Sequence, residues 1–286
     1  MISGEIEKRL IEAAVSRQRL TVLTGAGISA ESGIPTFRGP EGYWTVGSAV
    51  YQPQEMATLA MFQRDPEAVW AWYLYRAGVC RGAAPNSGHK ALAEMERLLG
   101  DRFALVTQNV DNLHRRAGST AERMHEIHGN VFQVRCSTGC TPALRPLPEA
   151  VAPKAAGEAL APDEIQHLHC RRCGGWLRPH VLWFDECYDE AYFHFETVLT
   201  LARRTDLLLI VGTSGATNLP AQVAMTVARR GGTLIDVNIE SDPFSRLAET
   251  SPAGAFIQAP SGEVLPKMLT VLEKATMRRH DDASTR

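Results

Sequence analysis

The chain has 286 residues, with 30 basic and 32 acidic side chains and a formal net charge of -2. That near-balance lacks the clustered basic excess of a nucleic-acid binder, and no apolar run approaches the ~20 residues that span a bilayer. The opening stretch MISGEIEKRLIEAAVSRQRL mixes charges every few residues, which excludes a signal peptide, so the expectation is a cytoplasmic protein with neither membrane nor nucleic-acid partners.

With 44% apolar residues, the chain can bury one or two sizeable cores. Residues 4–17 place Ile6, Leu10, Ile11, Ala14 and Val15 at helical spacing. A short apolar run, Leu20 to Leu23, then ends in the glycine-rich stretch TGAGISAESGIPTFRG. Residues 41–85 read as an inserted, helix-rich region in which Asp65 caps and Pro66 begins a helix over 66–79. A helix over 87–99 is closed by Gly100. Apolar runs recur at Phe103–Val106, Leu207–Val211 and Leu234–Val237, and their alternation with helical segments predicts a doubly wound, mostly parallel sheet. Residues 133–185 break the rhythm with paired cysteines and an irregular Pro- and Ala-rich excursion, TPALRPLPEAVAPKAAGEALAPDE. The charged tail, 277–286, is expected to be disordered.

The fold expectation is therefore α/β. A Rossmann-type sheet domain comes from residues 1–40, 86–132 and 186–276, and a smaller helical and zinc-ribbon domain from 41–85 and 133–185 is inserted into it. Six cysteines are present, and in a cytosolic chain close pairs read as metal or catalytic sites before disulfides. Cys136-x3-Cys140 and Cys170-x2-Cys173, separated by 29 residues, supply four thiolates for one tetrahedral zinc. Four protein ligands leave no open position, so such a zinc holds structure and does not activate water. Cys80 and Cys187 stand apart and are expected to be buried as small hydrophobes.

Gly25-Ala26-Gly27 follows a predicted strand, where missing side chains let the backbone approach a pyrophosphate. The third glycine of a GxGxxG loop would fall at Ala30, a permitted variant. A dehydrogenase of this fold wants an acidic residue about 20 positions on, at the end of a second strand. That region reads FRGPEGYWTVGS here, which is no strand. The cofactor loop is expected; the dehydrogenase is not.

The string GAGISAESGIPTFRG at 25–39 resembles the NAD-binding signature of the sirtuin family. Gln108-Asn109-Val110-Asp111, His128-Gly129-Asn130, Gly212-Thr213-Ser214 and Val237-Asn238-Ile239-Glu240 follow in that family's order. The resemblance spans about residues 20–265 and implies an NAD-dependent protein-lysine deacylase whose partners are acylated lysines of proteins. It assigns the cofactor to Gly25, Ala26, Gly27, Ile28, Ser29, Thr36, Phe37, Arg38, Trp44, Gln108, Asn109, Asp111, Gly212, Thr213, Ser214, Asn238, Glu240 and Ser261. Thr213 and Ser214 lie where open α/β sheets bind ligands, beyond a strand's C-terminal end. Asn109 and Asp111 would line the nicotinamide pocket, although Asp111 also suits a plain helix cap. In the family's scheme the acyl oxygen attacks C1′ of the nicotinamide ribose and nicotinamide leaves. His128 then takes the proton of a ribose hydroxyl as general base, giving free lysine and O-acyl-ADP-ribose.

Val181, Trp183 and Phe184 would bind substrate, with residues 181–186 pairing as a strand with its backbone. Tyr73 and Arg76 are three apart, hence on one helical face. They resemble the Tyr-x-x-Arg pair with which one sirtuin branch binds succinyl or malonyl groups, and Ala57 matches the small residue that widens its pocket. Two departures stand out. Asp185 replaces the glycine of the family's FGE string, which would strain a positive-φ backbone. Extra sequence between Trp44 and Ala57 implies a longer cofactor loop. The alternatives are an ADP-ribosyltransferase or NAD glycohydrolase, and a non-catalytic NAD-sensing module. A monomer is expected.

Overall fold

The computed structural model describes residues 3–16, 18–36 and 53–284. Its strands, in chain order, are β1 (Leu20–Thr24), β2 (Phe103–Thr107), β3 (Met124–Glu126), β4 (Gly129–Cys136), β5 (Arg145–Pro146), β6 (Leu177–Val181), β7 (Leu207–Val211), β8 (Thr233–Asn238) and β9 (Ala255–Gln258). Six of them form one parallel sheet in the order β3-β2-β1-β7-β8-β9. The chain works outward from β1 in one direction, then returns to β1's other edge and works outward again. The crevice at that reversal, beyond the C-terminal ends of β1 and β7, is where such sheets hold ligands.

The central strands are apolar on both faces because helices cover both. Val22, Leu105, Leu209 and Ile235 face a core shared with Leu10 of the helix Gly4–Val15, Leu92 and Met95 of Ser87–Leu99, and Leu265 and Met268 of Ser261–Ser284. Their chain neighbours Leu23, Val106, Leu208 and Leu234 face the opposite core, against Val198, Leu219, Val223 and Phe244. This period-two division follows from the pleat. The first helix ends at Val15, capped at its start by Ser3.

The helix Pro66–Gly82 begins with Asp65 accepting from the Ala68 N–H, as its sequence predicts. It packs Trp70, Tyr73 and Leu74 against Val131, Val134, Leu177 and Trp183. This third core belongs to the small antiparallel sheet β5-β4-β6. The excursion between the cysteine pairs contains β5 and the short helix Pro162–His167. Lys154, nearly buried, pairs there with Glu164 at 2.6 Å.

One expectation fails at the tail. The last helix runs through Met277 to Ser284, because the segment holds no glycine or proline and extending an existing helix costs far less than starting one. Cys187 is exposed, in the loop after β6, whereas Cys80 is buried in the helical core.

Candidate functional site

Three glycines meet at the crevice. The Gly25 N–H donates to Val211 O at 3.0 Å and the Gly27 N–H to Gly212 O at 2.8 Å. A Cβ on Gly25 would stand 2.6 Å from Thr213 Cβ, and one on Gly27 would stand 2.7 Å from Gly212 Cα. Gly212, at φ 58°, would drive its own Cβ to 2.5 Å from the Ile28 nitrogen. Backbone therefore lies on backbone where β1 and β7 end, and none of the three positions accepts a side chain.

Behind this loop lies a buried polar network. Ser29 Oγ donates to Asp111 Oδ2 at 2.7 Å, and Asn109 Nδ2 donates to Gly25 O at 3.0 Å and to Ser29 Oγ at 3.2 Å. The other Asp111 oxygen accepts from the Leu113 N–H at 2.8 Å, so the carboxylate holds the first N–H of the helix Leu113–Ala117 and braces the loop together. Burial pushes the Asp111 carboxyl above the usual carboxylate range, partly offset by those two donors. Gln108 bridges the two halves of the sheet. Its amide donates to Thr213 Oγ1 at 2.8 Å and accepts from Thr217 Oγ1 at 2.8 Å.

His128 sits in the turn between β3 and β4, where the chain leaves the large sheet for the small one. Gly129, at φ 83°, lies so close to the His180 carbonyl that a Cβ would collide with it. Asn130 donates to Glu126 Oε1 at 2.7 Å and to Asn112 Oδ1 at 2.9 Å. The string His128-Gly129-Asn130 is thus a histidine on a doubly pinned turn. Its Nδ1 lies 3.0 Å from Gln108 O and its Nε2 lies 2.7 Å from Tyr188 Oη. Burial lowers its pKa to about 4, with the Gln108 carbonyl acting the other way. The ring is neutral at neutral pH, as a general base must be.

The segment after β6 reaches the same turn, since the Leu182 N–H donates to His128 O at 3.0 Å. β6 ends at Val181, and 184–185 form a turn. The cause is Glu186, which accepts from the Trp183 N–H at 3.0 Å while held by Arg178. The Phe184 N–H donates to Ala57 O at 3.0 Å. Asp185 is absent from the positive-φ residues, so the expected strain does not exist. Its carboxylate instead accepts from the Leu59 and Ala60 N–H groups at 2.7 and 3.1 Å.

Ala57, Tyr73, Val181 and Trp183 share one buried cluster, and Phe184 is exposed beside it. Trp183 Nε1 donates to Tyr73 Oη at 2.9 Å, and the Arg76 guanidinium lies 4.7 Å from the Trp72 ring centre. Burial pushes the Tyr73 phenol up to about 12, with Arg76 opposing. It stays a neutral hydroxyl.

The remaining assigned positions divide. Asn238 Nδ2 reaches Thr213 O at 3.2 Å and Asp242 at 2.9 Å, fastening β8 to the loop after β7. Ile28 is buried, while Ala26 and Thr36 are half-buried and Ser214 and Glu240 exposed. Ser261 opens the last helix; its hydroxyl donates to Glu31 Oε1 at 3.0 Å, and the Gly262 N–H does so at 2.9 Å. Phe37, Arg38, Trp44 and the added loop length up to residue 52 lie outside the described residues. Sequence reasoning missed Tyr188 and His89. The latter is fully buried with Nε2 3.4 Å from Ser29 Oγ, and no motif marks either residue.

At the far end of the small domain, the Sγ atoms of Cys136, Cys140, Cys170 and Cys173 all lie within 4.8 Å of one another. The 136–173 and 140–170 pairs stand at 3.6 Å. A tetrahedron of thiolates about 2.3 Å from a zinc has edges of about 3.8 Å, whereas a disulfide would bring two sulfurs to about 2.05 Å. The cluster has the dimensions of a metal site.

A model of the Sir2 family matches residues 25–218. An NAD-dependent protein deacylase of Leptospira interrogans is 40% identical over 252 residues, covering 88% of this chain and 92% of that protein. One of the same description from Thermococcus kodakarensis is 42% identical over 257 residues, covering 89% and 91%. Among solved structures, a Sir2 homolog–NAD complex matches with a TM-score of 0.77 at 34% identity, covering 94% of both chains. A Sir2–p53 peptide–NAD+ complex matches with a TM-score of 0.71 at 27% identity, covering 94% of this chain and 98% of that one.

Proposed function

The chain belongs to the Sir2 family, and from that premise we propose that it is an NAD-dependent protein deacylase acting on acylated lysine. The observation that carries the reading is the placement of His128. It is held by Gln108 O near the close-packed turn where Gly25 and Gly27 lie on Gly212. The loop that Gly25, Gly27 and Gly212 hold beyond the ends of β1 and β7 would receive the pyrophosphate of NAD. Asn109 and Asp111, oriented by Ser29, offer an amide and a carboxylate to the nicotinamide carboxamide. His128 takes the ribose hydroxyl proton, and the products are nicotinamide, O-acyl-ADP-ribose and free lysine.

The acyl group we propose is acidic, succinyl or malonyl, with acetyl as a lesser substrate. Tyr73 and Arg76 support this reading: a neutral phenol and a guanidinium on one helix beside the small Ala57 form a fit receptor for a carboxylate. The four cysteines would hold one zinc, which fastens β4 to the loop before β6 and takes no part in the reaction.

The test is nicotinamide release from NAD with matched acetyl-, malonyl- and succinyl-lysine peptides and with none. Release that requires peptide and runs fastest with the acidic acyl groups supports the whole reading. Release without peptide would make the protein a glycohydrolase or transferase, and binding of NAD with no release at all would make it a sensor.

A further inference from the structure

Both nitrogens of His128 are engaged. A carbonyl can only accept, so Gln108 O fixes the proton on Nδ1, and Nε2 of the neutral ring can only accept. The Tyr188 hydroxyl, 2.7 Å away, must then be the donor to Nε2. The phenol is itself fixed in place. Its ring lies 5.8 Å from the imidazole at 31° and 6.3 Å from Phe195 at 26°, and burial raises its pKa, so it remains a neutral phenol.

We propose that Tyr188 is a further catalytic residue, holding the tautomer and orientation of the general base and relaying to it the proton of the ribose hydroxyl. This rests on His128 acting as base in the deacylation proposed above. Nε2 has one lone pair, and Tyr188 covers it. A ribose hydroxyl reaches it through the phenol oxygen: its proton passes to Oη as the Oη proton passes to Nε2. The phenol ends neutral, the ring ends as imidazolium, and the hydroxyl oxygen keeps the electron pair for its bond to the acyl carbon. The phenol oxygen then accepts from the new Nε2–H, a charge-assisted bond roughly twice as strong as the neutral one. That acceptor matters here because burial otherwise opposes charging the ring. Phenylalanine fills the same space and does neither.

The variant Tyr188→Phe separates this role from a packing role, because nicotinamide departs before the base acts. Exchange of labelled nicotinamide into NAD should stay within about threefold of wild type, while deacylated peptide falls about tenfold or more and KM for NAD holds within about twofold. Equal loss of both activities makes Tyr188 structural and overturns the proposal, as does deacylation at or above the wild-type rate. A second readout needs no turnover. In 15N-histidine-labelled protein, with His128 assigned by His128→Gln, the ring should show the Nδ1–H tautomer, and its Nε2 resonance should move toward the unbonded value in Tyr188→Phe. An unmoved resonance overturns the contact itself. A shifted resonance in a protein that never releases nicotinamide would sink the deacylase reading and leave the Tyr188 contact standing.

Discussion

Asp185 holds the first turn of the helix that starts at Leu59: its Oδ1 accepts from the Leu59 N–H at 2.7 Å, across 126 positions of sequence. The loop after β6 is thereby tied to the helical insert carrying Ala57, with Phe184 N–H to Ala57 O as a second tie. Asp185→Ala removes a carboxylate from a helix N-terminus that Thr58 still caps, a contact worth about 0.3–1 kcal/mol at an exposed site. A lower melting temperature is expected, together with a raised KM for acyl peptide and an unchanged KM for NAD. Steady-state kinetics in both substrates check this; a shift in the NAD term alone would contradict it.

Gly27→Ala should cost both stability and cofactor. The added Cβ meets backbone atoms of Gly212 at 2.7–3.0 Å, which no rotamer can relieve, so the two strand ends must part. A loss of about 1–3 kcal/mol is expected from such overpacking, with NAD binding abolished. Calorimetric titration with NAD, run beside a thermal melt, distinguishes this from a purely local change.

Purified protein should carry one zinc per chain by elemental analysis. Stripping it with a strong chelator should lower the melting temperature by several degrees, because a structural zinc contributes directly to folding. Cys170→Ser should reproduce that loss. Zinc-free protein that melts at the same temperature would remove the metal from the fold.

Arg76→Met keeps most of the volume of a buried side chain and removes its charge. Desuccinylation should fall about 100-fold in kcat/KM, the scale of a lost charge-assisted contact, with deacetylation altered far less. Equal losses on the two peptides would reduce Arg76 to a support for Trp72.

Acid should unfold the protein earlier than its carboxylates alone would require. His89, His114 and His180 are buried, and burial lowers their pKa values, to about 4 for His89 and His180 and further for His114, where His89 adds to the effect. Their unfolded forms take up protons near pH 6.5. The folded state therefore binds fewer protons between about pH 6.5 and 4, and each histidine costs about 1.4 kcal/mol per pH unit across that window. Their contribution is complete above pH 6.5 and declines as the pH falls. Urea midpoints at pH 7, 6 and 5 should decrease in that order, and a flat series would contradict the burial argument.

How much of this could be read in advance depended on the range of the forces involved. Leu20–Thr24, Leu207–Val211 and the Asp65–Pro66 helix start are local, so apolar runs and capping residues announced them. The gathering of the four cysteines was legible because each pair is already close along the chain. The role of Gly129 was not, since its lack of a side chain answers the His180 carbonyl on a different strand. Asp185 looked like a source of strain because a family string suggested a glycine backbone, and only the fold brings the Leu59 N–H to it. Tyr188 sits in an unremarkable polar stretch, DECYDE; its meaning arises entirely from where the turn at His128 lies. The tail was misjudged because charge alone does not break a helix already packed on Leu92 and Leu10.

The contact between Glu31 and the start of the last helix bears on how the protein is made. Glu31 follows the glycine loop directly, yet its partners Ser261 and Gly262 come 230 positions later. A ribosome delivers them long after the loop itself. A nascent chain can therefore gather its four cysteines and pair its sheet through β9 before this brace on the glycine loop can form.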